Sequence, residues 1–138
     1  PFAEAIDRAV RDADLLIGAV LIPGARAAHV VSHDQVRGMT PGSVIIDISV
    51  DQGGCIETTR PTTYAAPTYL VDGVVHFGVT NMPGAVPRSS SQALSAAILP
   101  HALKLAGNPR WREDPALARG INVAQGAIVH PAVKAAFA

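Results

Sequence analysis

The sequence predicts an α/β chain: a partial parallel sheet, as in half of a doubly wound domain, followed by C-terminal helices. Three observations predict it. Short β-branched runs recur at 15–22, 44–50 and 74–79, and each ends in a corner rich in Gly and Pro. Helical periodicity separates the first runs, which is the rhythm of right-handed crossovers between parallel strands. After residue 86 the pattern turns mainly helical.

Phe2, Ala5, Ile6, Ala9, Val10 and Ala13 form a helical stripe, with Glu4, Asp7, Arg8 and Arg11 between them. Asp14 then leads into 15–22, read as a buried strand that Pro23-Gly24 ends. Ala25 to Ala28 form a loop or the start of a helix. Ser32 is an N-cap for a short helix through Asp34, Val36 and Met39, and Thr40-Pro41-Gly42 is a turn.

The stretch 43–57 organises the rest. Its run 44–50 reads as a buried strand carrying one acid, Asp47, and stops at Asp51-Gln52-Gly53-Gly54. Residues 55–72 read as a connection long enough to cover a site. The strand 74–79 follows and ends in Thr80-Asn81-Met82-Pro83-Gly84. Ser89, Ser90 and Ser91 offer N-caps for a helix to about Leu105, kinked at Pro100 and stopped by Gly107-Asn108-Pro109. The tail reads as a short helix at 113–119, a hairpin around Gln125-Gly126, and one or two helical turns from Pro131.

Composition narrows the function. A chain of 138 residues is long enough for one domain with a real core, and hardly for two. Hydrophobic residues make up 49% and charged residues 16%, which points to apolar surface meant for other protein. Net charge is zero and aromatics are 4%, so nucleic acid is a poor partner. The single Cys55 rules out an internal disulfide and fits a reducing, cytoplasmic compartment. No apolar run is long enough to cross a membrane as a helix. Pro1 is neither an initiator Met nor part of a basic leader, so the chain is expected to begin inside a larger structure.

The chemistry is expected at the strand ends. If the strands are parallel, the corners 21–24, 51–54 and 81–84 share one sheet edge, where α/β sheets bind ligands. That edge would present Asp51, two amides, Met82 and free backbone N–H groups to one crevice. No glycine-rich phosphate loop of either common spacing occurs. The five histidines lack metal-ligand spacing, so no metal site is expected. His76 reads as a core residue and Cys55 as a buried thiol.

Motifs in this order resemble the C-terminal part of an alanine dehydrogenase: Gly18-Ala19-Val20-Leu21-Ile22-Pro23-Gly24-Ala25, Met39-Thr40-Pro41-Gly42-Ser43-Val44-Ile45 and Asp51-Gln52-Gly53-Gly54-Cys55. Arg60-Pro61-Thr62-Thr63, Asn81-Met82-Pro83-Gly84, Val86-Pro87-Arg88 and the tail 114–120 continue the match. The resemblance implies that residues 1–84 are the second half of an NAD-binding Rossmann domain, and that 85–138 return to the substrate domain. It implies reversible oxidative deamination of L-alanine to pyruvate and ammonium, with NAD as cofactor. Asp51 matches the active-site aspartate, Val20 and Leu21 the loop on the adenosine side, and Ile48, Asn81 and Met82 the nicotinamide end. A homo-oligomer, commonly a hexamer, is also implied. The family's N-terminal half is absent, with its phosphate loop, ribose-binding acid and catalytic His and Lys, so the chain alone is expected to be inactive. Ser95-Ala96-Ala97 also departs from the usual Thr-Asn-Ala. Two rivals remain: the NAD-binding component of a nicotinamide nucleotide transhydrogenase, which usually lacks the acid at Asp51, and a truncated chain acting only as an interaction module.

Overall fold

The structure, a computed structural model, describes residues 3–137. Contacts divide the chain into two compact units, Pro1–Met82 and Pro83–Ala138.

In the first unit, α1 (Ala3–Arg11) leads to β1 (Leu15–Gly18), α2 (His33–Arg37) and β2 (Val44–Asp47). β3 (Thr68–Val71) and β4 (Val74–Phe77) complete a sheet of order β1-β2-β4-β3. β1, β2 and β4 run parallel, as the sequence predicts, while β3 pairs antiparallel to β4. Phe2, placed in the first helix by periodicity, lies outside the described residues. Ser32 caps α2 with a full capping box: its hydroxyl takes the Gln35 N–H, and the Gln35 side chain returns to the Ser32 N–H.

Val10 of α1, Val36 and Met39 pack with Ile45 and Val74 of the sheet, and with Val31, Cys55 and Ile56, to make the core. Helices cover this one face. On the other face Leu15, Ile17 and Leu70 stand exposed, so β1 is not the fully buried strand that its composition predicts.

Several element boundaries differ from expectation; β4, for one, ends at Phe77 rather than residue 79. β1 stops at Gly18 rather than residue 22, because past that point the neighbouring chain leaves the sheet and offers no ladder. β2 stops at Asp47, and 48–52 wind into a 3-10 turn despite their β-branched residues. The Asp47 side chain caps that turn by accepting the Ser49 N–H, which outweighs a weak strand propensity. The supposed connection 55–72 contains β3. Asp72 and Gly73 both take positive φ, 50° and 81°, and form the tight turn joining β3 to β4.

His76 of β4 is 1% exposed and satisfied at both nitrogens. Nδ1–H donates to the Val74 carbonyl at 3.0 Å, so neutral Nε2 accepts the Thr58 hydroxyl at 2.7 Å. Burial holds its pKa below the ordinary 6.5, with His33 adding to the shift. Below pH 6.5 the unfolded chain therefore takes up a proton that the folded chain refuses. Stability is full above pH 6.5 and declines as pH falls toward the lowered folded value. Urea melts between pH 7.5 and 5.5 should show this slope, and His76→Gln should flatten it; an unchanged slope in the variant would exclude His76 as its source.

In the second unit, α3 (Pro87–Gly107) runs continuously through Pro100. It starts earlier than the serines predict: Pro87 occupies the first turn, Val86 is the N-cap, and no side chain caps it. Ser90 instead donates to the Pro83 carbonyl at 2.8 Å. A 3-10 turn (Trp111–Glu113) precedes α4 (Pro115–Arg119), whose N-cap is Asp114. The expected hairpin forms as β5 (Val123–Ala124) and β6 (Ala127–Ile128), and α5 (Pro131–Ala136) closes the described chain. Leu94, Ile98, Leu99, Leu103 and Leu105 of α3 are all exposed. Among the described residues no helix is long and apolar enough to cross a membrane.

Candidate functional site

The parallel arrangement of β1, β2 and β4 places the carboxyl ends of all three strands on one edge of the sheet. Residues 19–22 follow β1, 48–54 follow β2 and 78–82 follow β4, so the expected corners do share that edge. Short hydrogen bonds join them. The Ser49 hydroxyl donates to the Val20 carbonyl at 2.8 Å, binding the first corner to the second. The Asn81 N–H donates to Asp51 Oδ2 at 3.1 Å, binding the third to the second.

Asp51 lies exposed near the end of the 3-10 turn, two residues before Gly53. Gly54 takes φ 81°, and a Cβ there would come within 2.9 Å of Thr59 and 3.1 Å of Asp47 Oδ2. Only glycine lets the chain turn back so tightly under Asp51. Leu21 is 68% exposed and Ile48 53%, large apolar side chains left open at a sheet edge. Val20 and Met82 are half-buried and Asn81 is exposed. Apolar side chains beside a carboxylate and a backbone amide suit a flat ring with apolar faces and a polar rim.

Sequence reasoning saw Asp47 only as an acid within an apolar run. The structure makes it the buried hub of the site, 1% exposed. Its Oδ1 accepts the Ser49 N–H at 2.9 Å. Its Oδ2 accepts the Cys55 N–H at 2.8 Å, the Ile56 N–H at 3.2 Å and the Thr59 hydroxyl at 2.7 Å. These bonds fold the chain after the two glycines back beneath the 3-10 turn. A carboxylate inside a β-branched run was the available signal, since a charge is seldom buried without partners.

Cys55 is buried, as expected. Desolvation pushes its thiol above the ordinary range, and the nearby Asp47 charge adds to this, both favouring the neutral thiol. Among the described residues no group of three or more His, Cys, Asp or Glu could hold a metal ion.

The family model described as alanine dehydrogenase/PNT, C-terminal domain, matches residues 2–131. The chain belongs to that family. It is 51% identical to the alanine dehydrogenase of Halomonas elongata, over 98% of this chain and 37% of the relative. It is 54% identical to that of Geobacillus stearothermophilus, over 95% of this chain and 36% of the relative. A solved L-alanine dehydrogenase superposes with a TM-score of 0.79 at 52% identity, covering 99% of this chain and 38% of that one. A transhydrogenase from Sinorhizobium meliloti superposes with a TM-score of 0.69 at 26% identity, over 96% and 36%. The chain thus spans little more than a third of the length of these relatives. Within the alanine dehydrogenase/PNT family, its segment carries the sheet edge formed by Asp51, Ile48, Val20, Leu21, Asn81 and Met82.

Proposed function

We propose that this chain supplies one wall of the active site of an NAD-dependent alanine dehydrogenase and works together with the N-terminal part of such an enzyme. The reaction is L-alanine, NAD and water giving pyruvate, ammonium, NADH and a proton. The observation that carries this reading is the 51% and 54% identity to two alanine dehydrogenases across nearly the whole chain. The transhydrogenase is a more distant relative at 26%, which leaves that alternative weaker.

In this reading residues 1–84 form the second half of the cofactor domain, and 85–138 belong with the substrate domain. NAD, when bound, accepts the hydride from the substrate carbon. Val20 and Leu21 pack on its adenosine side, and Ile48, Asn81 and Met82 line the nicotinamide end. Asp51 stabilises the positive charge growing on the substrate nitrogen as the hydride leaves, and accepts a hydrogen bond from the attacking water. With Oδ2 held by the Asn81 N–H, Oδ1 is left to meet substrate or water. The same reading makes the enzyme a cytoplasmic homo-oligomer, a hexamer by family resemblance, with no membrane or nucleic-acid partner.

The test replaces the matching segment of the Geobacillus stearothermophilus enzyme by this chain and follows alanine-dependent NADH formation. Turnover is expected in the chimera, and none from the 138-residue chain alone. A folded chimera that binds NADH yet turns over no alanine would refute the reading.

A further inference from the structure

We infer that residues 60–64 form a strap that positions the Asn81–Met82 corner, with Tyr64 as its positioning residue. For its effect on catalysis this rests on the alanine dehydrogenase reading above.

The root of the strap is anchored in the core. The Arg60 N–H donates to the Tyr69 hydroxyl at 2.8 Å, and the Arg60 guanidinium lies 4.0 Å over the Tyr69 ring. That ring stacks on buried His76 with centroids 5.0 Å apart. Just beyond, the Arg60 carbonyl oxygen lies against Gly78, where any Cβ would collide with it. Gly78 is needed for that close approach rather than for an unusual φ.

The middle of the strap extends the sheet past the end of β4. Thr62 forms a parallel bridge with Val79, and its N–H donates to the Gly78 carbonyl at 2.8 Å. The Thr62 hydroxyl donates to the Pro67 carbonyl at 2.9 Å, which closes the loop behind it. The chain is thereby delivered beside the third corner, and the Tyr64 hydroxyl donates to the Met82 carbonyl at 3.0 Å.

The corner needs holding. Asn81 has φ 50°, a left-handed conformation that costs a non-glycine residue about 1 kcal/mol or more. Two side chains from different segments grip it: Asp51 takes the Asn81 N–H, and Tyr64 takes the Met82 carbonyl. Tyr64 is 53% exposed, so burial accounts for little of its presence. Its hydroxyl supplies the specific contact. The long connection between the second and third corners thus sets where Asn81 and Met82 meet the nicotinamide and, through the Asn81 N–H, the bearing of Asp51.

The test is Tyr64→Phe in the active chimera. Hydride transfer depends steeply on placement, so kcat should fall about 3- to 10-fold while both KM values move less than about 2-fold. The deuterium isotope effect with 2-deuterated alanine should rise, because the hydride step becomes slower relative to the others. A loss of folded protein would lower apparent activity without moving the isotope effect. Unchanged kcat and isotope effect would overturn the proposal. If the unsubstituted chimera is itself inactive, the enzyme reading fails instead, and amide exchange at Asn81 in the 138-residue chain decides the strap. Tyr64→Phe should speed that exchange about 5-fold, and an unchanged rate would overturn the strap.

Discussion

Asp51→Asn in the active chimera is expected to cut alanine turnover about a thousandfold while changing NAD affinity less than about threefold. The substitution keeps the shape, and the Asn side-chain oxygen can still accept the Asn81 N–H, so the corner survives. On the proposed reading, what disappears is the negative charge that would face the substrate nitrogen. Electrostatic stabilisation is realised mainly as charge develops, so kcat falls and binding does not. Steady-state kinetics with NADH binding measured in parallel would check this. Retained turnover, within about tenfold of the parent, would remove Asp51 from the mechanism.

Asp47→Ala should produce the largest loss of stability of any single change in the first unit, about 3–5 kcal/mol. It strands three backbone N–H groups, at Ser49, Cys55 and Ile56, and the Thr59 hydroxyl, all turned toward a buried point. Such a loss is a large share of the roughly 5–15 kcal/mol that holds a typical domain folded. Asp47→Asn should fall between parent and Ala, because one oxygen remains while the amide nitrogen opposes an N–H donor. Urea unfolding of the three chains would rank them, and a loss under about 1 kcal/mol for Asp47→Ala would show that the turn stands without its hub. Two aspartates four residues apart serve one 3-10 turn: Asp47, buried, caps its start, and Asp51, within it, is exposed.

The parallel strands, the capped helix at Ser32 and the tail hairpin at Gln125-Gly126 were all legible in the sequence. Each depends on a local pattern: an apolar run ended by glycine, a Ser with Gln three residues on, a turn pair between short strands. The 3-10 turn at 48–52 was not legible, because its residues favour a strand and only the Asp47 side chain, bonded to distant amides, tips the choice. The β3–β4 hairpin was missed for a different reason. Its Asp72-Gly73 signal was present but lay within a stretch rich in Pro and Thr that reads as loop. The serines in the first turns of α3 misled because capping chemistry was available without being used; Pro87 had already started the helix.

For the site, the residues alone showed that Asp51, Asn81 and Met82 follow the carboxyl ends of parallel strands, although β2 and β4 end earlier than expected, at Asp47 and Phe77. They also carried the family motifs. How those segments are held together is set by long-range contacts in the fold. Ser49 on the Val20 carbonyl, Asp51 on the Asn81 amide and Tyr64 on the Met82 carbonyl each join residues far apart in the chain. The physical reason is that hydrogen-bond partners across 18 to 30 residues are chosen by the path of the folded backbone, which no local propensity encodes.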